Sequence, residues 1–200
     1  MTRTLIQTVL VALSLVVSTA VFAGDVEDGD AAVERKDYAT ALSKYKSAAA
    51  RGDEDARFKL GIMYYHGTGV VQDYAEAMRL YRLAAAQGHA MAQYAVGVMY
   101  DYGRGFTLNY AEAVRWYKLA AAQGNASAQL NLGTMYYNGH GVVQDYVRAH
   151  MWMNLAAVKG DATNAVKSRD IIAARMSTQQ IAEAQKMARD CQARNFKGCD

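Results

Sequence analysis

Ser43-Lys44-Tyr45-Lys46 fits Ser-x-x-Lys, the nucleophile motif of penicillin-recognising serine enzymes. The spacing puts a hydroxyl and an amine one helical turn apart. Those enzymes also need SDN and KTG partner motifs, and the chain contains neither. Four histidines, His66, His89, His140 and His150, include no His-x-x-x-His pair, so no local metal-ligand spacing exists. They are expected on the surface or in a groove. Gly67-Thr68-Gly69 resembles part of a nucleotide loop, but a dinucleotide fingerprint follows a strand and carries a third glycine at the helix start. Here the preceding segment has helical periodicity, the third glycine is missing, and no GKS or GKT follows. No metal and no cofactor is expected.

The elements that carry these residues are repeated. YYHGTGVVQDY from Tyr64 returns as YYNGHGVVQDY from Tyr136. Four segments align without gaps at a spacing of 36: DYATALSKYKSAAARG from Asp37, DYAEAMRLYRLAAAQG from Asp73, NYAEAVRWYKLAAAQG from Asn109 and DYVRAHMWMNLAAVKG from Asp145. Each opens on a residue suited to capping backbone N–H groups and closes on a glycine. Ala77, Leu80, Tyr81 and Ala84 recur at helical spacing and define the buried face of this helix, helix B. In that frame Ser43 aligns with Arg79, Arg115 and Met151, and Lys46 with Arg82, Lys118 and Asn154, which predicts an outer, solvated face. Glu76–Arg79 and Glu112–Arg115 are expected surface pairs on it.

A second helix, helix A, precedes each full copy of helix B. ARFKLGIMYYHG, AQYAVGVMYDYG and AQLNLGTMYYNG begin at Ala56, Ala92 and Ala128. Offsets of zero, four, seven and eight select a core stripe, typified by Ala56, Leu60, Met63 and Tyr64. Gly61, Gly97 and Gly133 interrupt it, where glycine costs about 1 kcal/mol against alanine. Their recurrence predicts a neighbouring backbone too close for a side chain. The Gly-x-Gly segments at Gly67, Gly103 and Gly139 are read as bends joining A to B, with Val70 and Val142 turned toward the core.

Ala-x-x-x-Leu-Gly-x-x-Tyr, then Gly-x-Gly, then Asp-Tyr-x-x-Ala and Tyr-x-x-Ala-Ala-x-Gly, on a period of 36, resembles the Sel-one-like repeat (SLR). The resemblance implies an all-α, right-handed α/α superhelical solenoid of about five helix pairs, related to tetratricopeptide repeats, and a role in holding protein complexes together. Residues 24–52 are read as an N-terminal capping helix pair turning at Lys36-Asp37. Residues 53–160 hold three full units, and 161–200 hold C-terminal capping helices and a tail. Ser177-Thr178-Gln179-Gln180 has the form of a capping box. Atypical end units cover the open faces of a stack.

Composition agrees with a helical scaffold. Proline is absent, and 22 Lys and Arg stand against 19 Asp and Glu, without the basic excess that nucleic-acid phosphates require. Residues 1–23, with Arg3, the apolar run Val9 to Val17 and Val21-Phe22-Ala23, read as a secretory signal peptide. The run is too short to cross a bilayer, so no membrane anchor is expected after cleavage. No linker divides the remainder, which is read as one domain. Cys191 and Cys199, an even pair in an exported chain, are expected to form a disulfide.

The expected function is therefore a periplasmic or secreted scaffold that binds a protein or peptide without catalysis. A hydrolase of β-lactams or cell-wall peptides is the alternative, because cysteine-rich SLR proteins are associated with penicillin binding. Variation between repeats locates the binding surface. Lys59, Ile62 and His66 correspond to Ala95, Val98 and Tyr102 and to Asn131, Thr134 and Asn138. Each trio lies on one face of helix A, flanked by Tyr65, Asp101 or Tyr137. The tetratricopeptide resemblance makes that face the concave one.

Overall fold

The computed structural model describes residues 24–159 and 162–199, and every regular element among them is a helix. The expected signal peptide lies outside the described residues. Helix α1 covers 24–34. It is followed by α2 (Tyr38–Ala50), α3 (Glu54–His66), α4 (Tyr74–Ala85), α5 (Ala90–Asp101), α6 (Tyr110–Ala121), α7 (Ala126–Asn138), α8 (Tyr146–Lys159), α9 (Ala162–Ala173) and α10 (Thr178–Ala193). Helices α3, α5 and α7 are the three A helices; α2, α4, α6 and α8 carry the B pattern. The chain is an all-α repeat solenoid.

Local chemistry explains where the helices start and stop. Asp37, Asp53, Asn109 and Asn125 each accept a hydrogen bond from the backbone N–H three residues on. His89 does the same work for α5, its Nδ1 accepting from Ala92 N–H at 3.0 Å. The chain turns from α1 to α2 at Lys36, whose φ of 60° is left-handed. Both copies of the long repeated sequence fold alike. Gly67 and Gly139 end their helices at φ 70° and 72°. Asp73 and Asp145 N–H groups donate back to the carbonyls of Tyr64 and Tyr136 at 2.9 Å. The Gln72 and Gln144 amides donate to the carbonyls of Tyr65 and Tyr137 at 2.8 and 2.7 Å. The bend is thus written in Gln-Asp as much as in glycine. Val70 and Val142 are partly buried against the core, as expected, while Val71 and Val143 project into solvent.

Contacts group the chain into two compact units, one through Ala84 and one from Ala85. Stacked repeats contact their neighbours and have no single centre, so their cores are local. Ala41, Tyr45, Ala48, Ala56, Leu60 and Met63 form the core of the first. Tyr117, Leu132, Met135, Trp152 and Leu155 dominate that of the second. The expected stripe of helix A is buried at its alanine, Leu or Val, and Met positions in all three copies.

The reason for the mid-helix glycines differs from the expectation. A Cβ on Gly61 would lie 2.6 Å from the Tyr81 ring, and one on Gly97 would lie 2.6 Å from the Tyr117 ring. An aromatic side chain, not a backbone, fills the space in these two copies. At Gly133, where Met153 replaces the tyrosine, the Met153 side chain and the Ala149 carbonyl share that role at 3.0 and 3.1 Å. One repeated contact carried no recognised signal. Arg57, Gln93 and Gln129 occupy equivalent positions, and each donates to the carbonyl of Ala49, Ala85 or Ala121 at 3.3 Å. Gln93 and Gln129 are buried, so these bonds satisfy both their amides and the last turn of the preceding B helix.

The C-terminal cap changes the last B helix. Helices α9 and α10 pack on α8. Met151, at a position expected on the outer face, is fully buried because the equivalent of Arg79 and Arg115 now lies in the core. His150 is likewise buried, contrary to a surface histidine, since it aligns with the core residues Met78 and Val114. Ser177 and Gln180 form the expected reciprocal capping box. Cys191 and Cys199 are joined as a disulfide, fixing the tail to α10.

Candidate functional site

The variable residues of helix A divide into those held by the scaffold and those that face solvent. In the first unit, the Lys59 ammonium lies 2.8 Å from Asp30 on α1. Tyr45 on α2 donates its hydroxyl to the same carboxylate at 2.6 Å. The network holds the Asp30 carboxyl below the usual range: the Lys59 and Tyr45 bonds together outweigh its desolvation. Lys59, expected as a partner contact, is thus paired with Asp30 within the scaffold. Ile62 is half-buried, and Tyr65 packs edge-on against His66 and Tyr74 at 4.9 and 5.3 Å.

The second unit builds a similar network with two changes: Asn131 stands at the Lys59 position, and the carboxylate comes from Asp101, one register position before the equivalent of Asp30. Asn131, equivalent to Lys59, donates its amide to the Tyr117 oxygen at 3.0 Å. Tyr117, equivalent to Tyr45, donates its hydroxyl to Asp101 at 3.0 Å. Burial pushes the Tyr117 phenol far up, so it remains a donor. Burial also raises the Asp101 carboxyl, against the Tyr117 hydrogen bond and the field of His140. None of the ion pairs among the described residues involves Asp101.

Asp101 stands where the flanking repeats have Tyr65 and Tyr137. Those tyrosines pack on Tyr74 and Tyr146. With the smaller aspartate beside Tyr110, a cavity of about 360 Å³ opens, lined also by Tyr102, Leu108, Asn131, Thr134, Met135 and His140. His140 stacks on Tyr110 with ring centroids 4.5 Å apart. A second cavity of about 230 Å³ begins at Thr134 and continues past Tyr137, Asn138, Ser168 and Ile171. The two cavities share Thr134 on α7, and the residues lining them are together called the groove of this unit.

Six of the expected contact residues thus line the groove: Asp101, Tyr102, Asn131, Thr134, Tyr137 and Asn138. Ala95 and Val98 do not line either cavity, and Val98 packs against the core. Sequence reasoning did not place Tyr110 or Ile171, which come from a B helix and the cap, in the site, and it expected His140, in a bend, only as a surface or groove histidine. Ile171 is exposed on α9, which has no full repeat pattern against which it could have stood out.

Ser43 and Lys46 are both exposed on α2. No group of three or more His, Cys, Asp or Glu among the described residues is placed to hold a metal ion.

The Sel1 repeat family model matches residues 54–89, 90–125 and 126–161, more than half of the chain. The chain belongs to the Sel1 repeat family. The crystal structure of a Sel1 repeat protein from Oxalobacter formigenes is similar, with 29% identity and a TM-score of 0.65 over 82% of this chain and 74% of that one. A protective antigen of uropathogenic Escherichia coli with an SLR fold aligns at 19% identity and a TM-score of 0.45, over 88% of this chain and 55% of that one. No curated protein matches the chain.

Proposed function

We propose that this protein is an exported, non-catalytic scaffold that binds a protein or peptide segment along the A face of its second unit. The observation that carries the reading is the groove itself. Its lining includes Asp101, Tyr102, Asn131, Thr134, Asn138 and His140, positions at which the repeats differ, beside the recurring Tyr110 and Met135 and three residues of the cap. An interaction site grafted onto repeated structure would have this distribution.

The groove combines aromatic rings with a few polar groups, a composition suited to seating side chains of an extended segment. The leader-like residues 1–23 and the Cys191–Cys199 disulfide both support an oxidising, extracytoplasmic location, periplasmic or secreted. No helix among the described residues is long and apolar enough to cross a membrane.

Photocrosslinking tests the reading. A photoreactive amino acid at Thr134 or Asn138 is expected to capture a discrete partner in the native envelope fraction, and one at Ser43 is not. Equal labelling from all three positions would remove the groove from the account.

A further inference from the structure

The two polar networks described above differ in what their carboxylates hold. Asp30 accepts from the Tyr45 hydroxyl and pairs with the Lys59 ammonium, so one tyrosine and one cation share it. Asp101 accepts from the equivalent tyrosine, Tyr117, but the residue at the Lys59 position is Asn131, which turns its amide to the phenol oxygen. A carboxylate offers about four acceptor positions, and the Tyr117 hydroxyl takes one. The chain thus contains a complete version of this arrangement and a version without its cation, the latter opening on a cavity.

We propose that Asp101 seats a basic side chain of the bound segment, in the role that Lys59 performs within the first unit. The proposal rests on the groove reading above and names the chemistry of one position in it. Tyr102 and Tyr110 line the cavity with phenol rings, over which a guanidinium or ammonium is favoured. The carboxylate supplies charge-assisted hydrogen bonds, strongest for the planar arginine fork. A ligand cation would also relieve the half-buried charge, which burial disfavours in the free protein. An acidic side chain would meet Asp101 with like charge.

The probes are the capped tripeptide acetyl-Gly-Arg-Gly-amide and its citrulline analogue, which keeps the shape and removes the charge. Each is titrated into the ¹⁵N-labelled protein at pH 7.5. The arginine probe is expected to shift the amides of Asp101, Asn131 and Thr134 saturably, with citrulline weaker by roughly tenfold or more. Asp101→Asn, which keeps an oxygen for Tyr117, should reduce arginine to the citrulline level. Asp101→Tyr, the residue of the flanking repeats, should do the same. Equal affinities for the two probes, no shifts with arginine, or full arginine binding by both variants would overturn the proposal. Thr134→Trp separates this inference from the groove reading. Loss of partner crosslinking from Asn138 in that variant, together with no preference for arginine in the unsubstituted protein, leaves the groove and removes the cation seat. Retained partner crosslinking in Thr134→Trp, with the arginine preference present in the unsubstituted protein, supports the seat and removes the groove.

Discussion

Tyr117 donates its hydroxyl to Asp101 across 3.0 Å, tying the B helix of one repeat to the end of its own A helix. The bond does not make Asp101 a comfortable carboxylate, because burial raises its pKa nonetheless. A carboxyl raised in the folded state binds more protons there than in the unfolded chain. Its contribution to stability therefore declines as pH rises from 3.8 through the folded value, and a penalty remains above it. Asp101→Asn is expected to equal or exceed the wild type in urea-unfolding stability at pH 8, with the advantage shrinking toward pH 4. A variant clearly less stable at pH 8 would mean that the charge at Asp101 supports the fold.

Gly97 faces the Tyr117 ring so closely that an alanine Cβ would sit 2.6 Å from it. Alanine in an open helix would gain about 1 kcal/mol over glycine. Here the ring is buried and bonded at both sides of its hydroxyl, so it cannot move without disturbing Asp101 and Asn131. Gly97→Ala should lose about 1 to 3 kcal/mol, the usual cost of overpacking. A rise in the unfolding midpoint would contradict the contact.

His150 is buried on α8, and burial is the largest cause lowering its pKa, with Arg169 adding to it and Asp170 opposing. The unfolded chain then binds the proton first. Stability from this residue is full above about pH 6.5 and falls as pH drops below it. His150→Leu, which restores the residue type of Leu42 in the first aligned segment, should flatten the acid side of the stability curve. An unchanged slope between pH 5 and 6.5 would show that other groups set it.

Much of the fold was legible because each cue was repeated. A cap, a stripe or a bend that recurs every 36 residues is separated from chance by its copies, as at Asp73 and Asp145 or Ala56, Ala92 and Ala128. What recurs was also misread where its partner was invisible. Gly61 and Gly97 announced a close approach, but only the folded chain shows that a tyrosine ring makes it. The site was half legible for a related reason. Variation marked Tyr102, Asn131, Thr134 and Asn138, with Asp101 and Tyr137 on the flank, yet it marked Lys59 equally, and the Lys59 charge is paired with Asp30. Variability reports freedom from the repeat's packing and does not say whether the side chain faces solvent or another helix. Met151 illustrates the opposite limit: its position is an outer one in the other copies, and its burial on α8 accompanies the packing of α9 and α10, which lie outside the repeat frame.

The tail offers a covalent check. Cys191 and Cys199 are bonded in the structure, and both are buried. Intact-mass measurement of the native protein is expected to show it two hydrogens lighter than its reduced form, with no alkylation before reduction. Two thiols that alkylate freely in the native protein would contradict the bond and weaken the case for an oxidising compartment.

The central claim, that the groove of the second unit is the binding surface, is tested most directly by calorimetric affinity for the captured partner. Tyr102 and Asn138 are exposed groove residues, so Tyr102→Ala with Asn138→Ala should leave the circular dichroism spectrum intact. The account predicts that this pair of substitutions weakens binding by about 2 kcal/mol or more, while Ser43→Ala binds as the wild type does. Wild-type affinity in the double variant would contradict the account, and loss of a partner-directed hydrolytic turnover in Ser43→Ala would put the enzyme reading in its place.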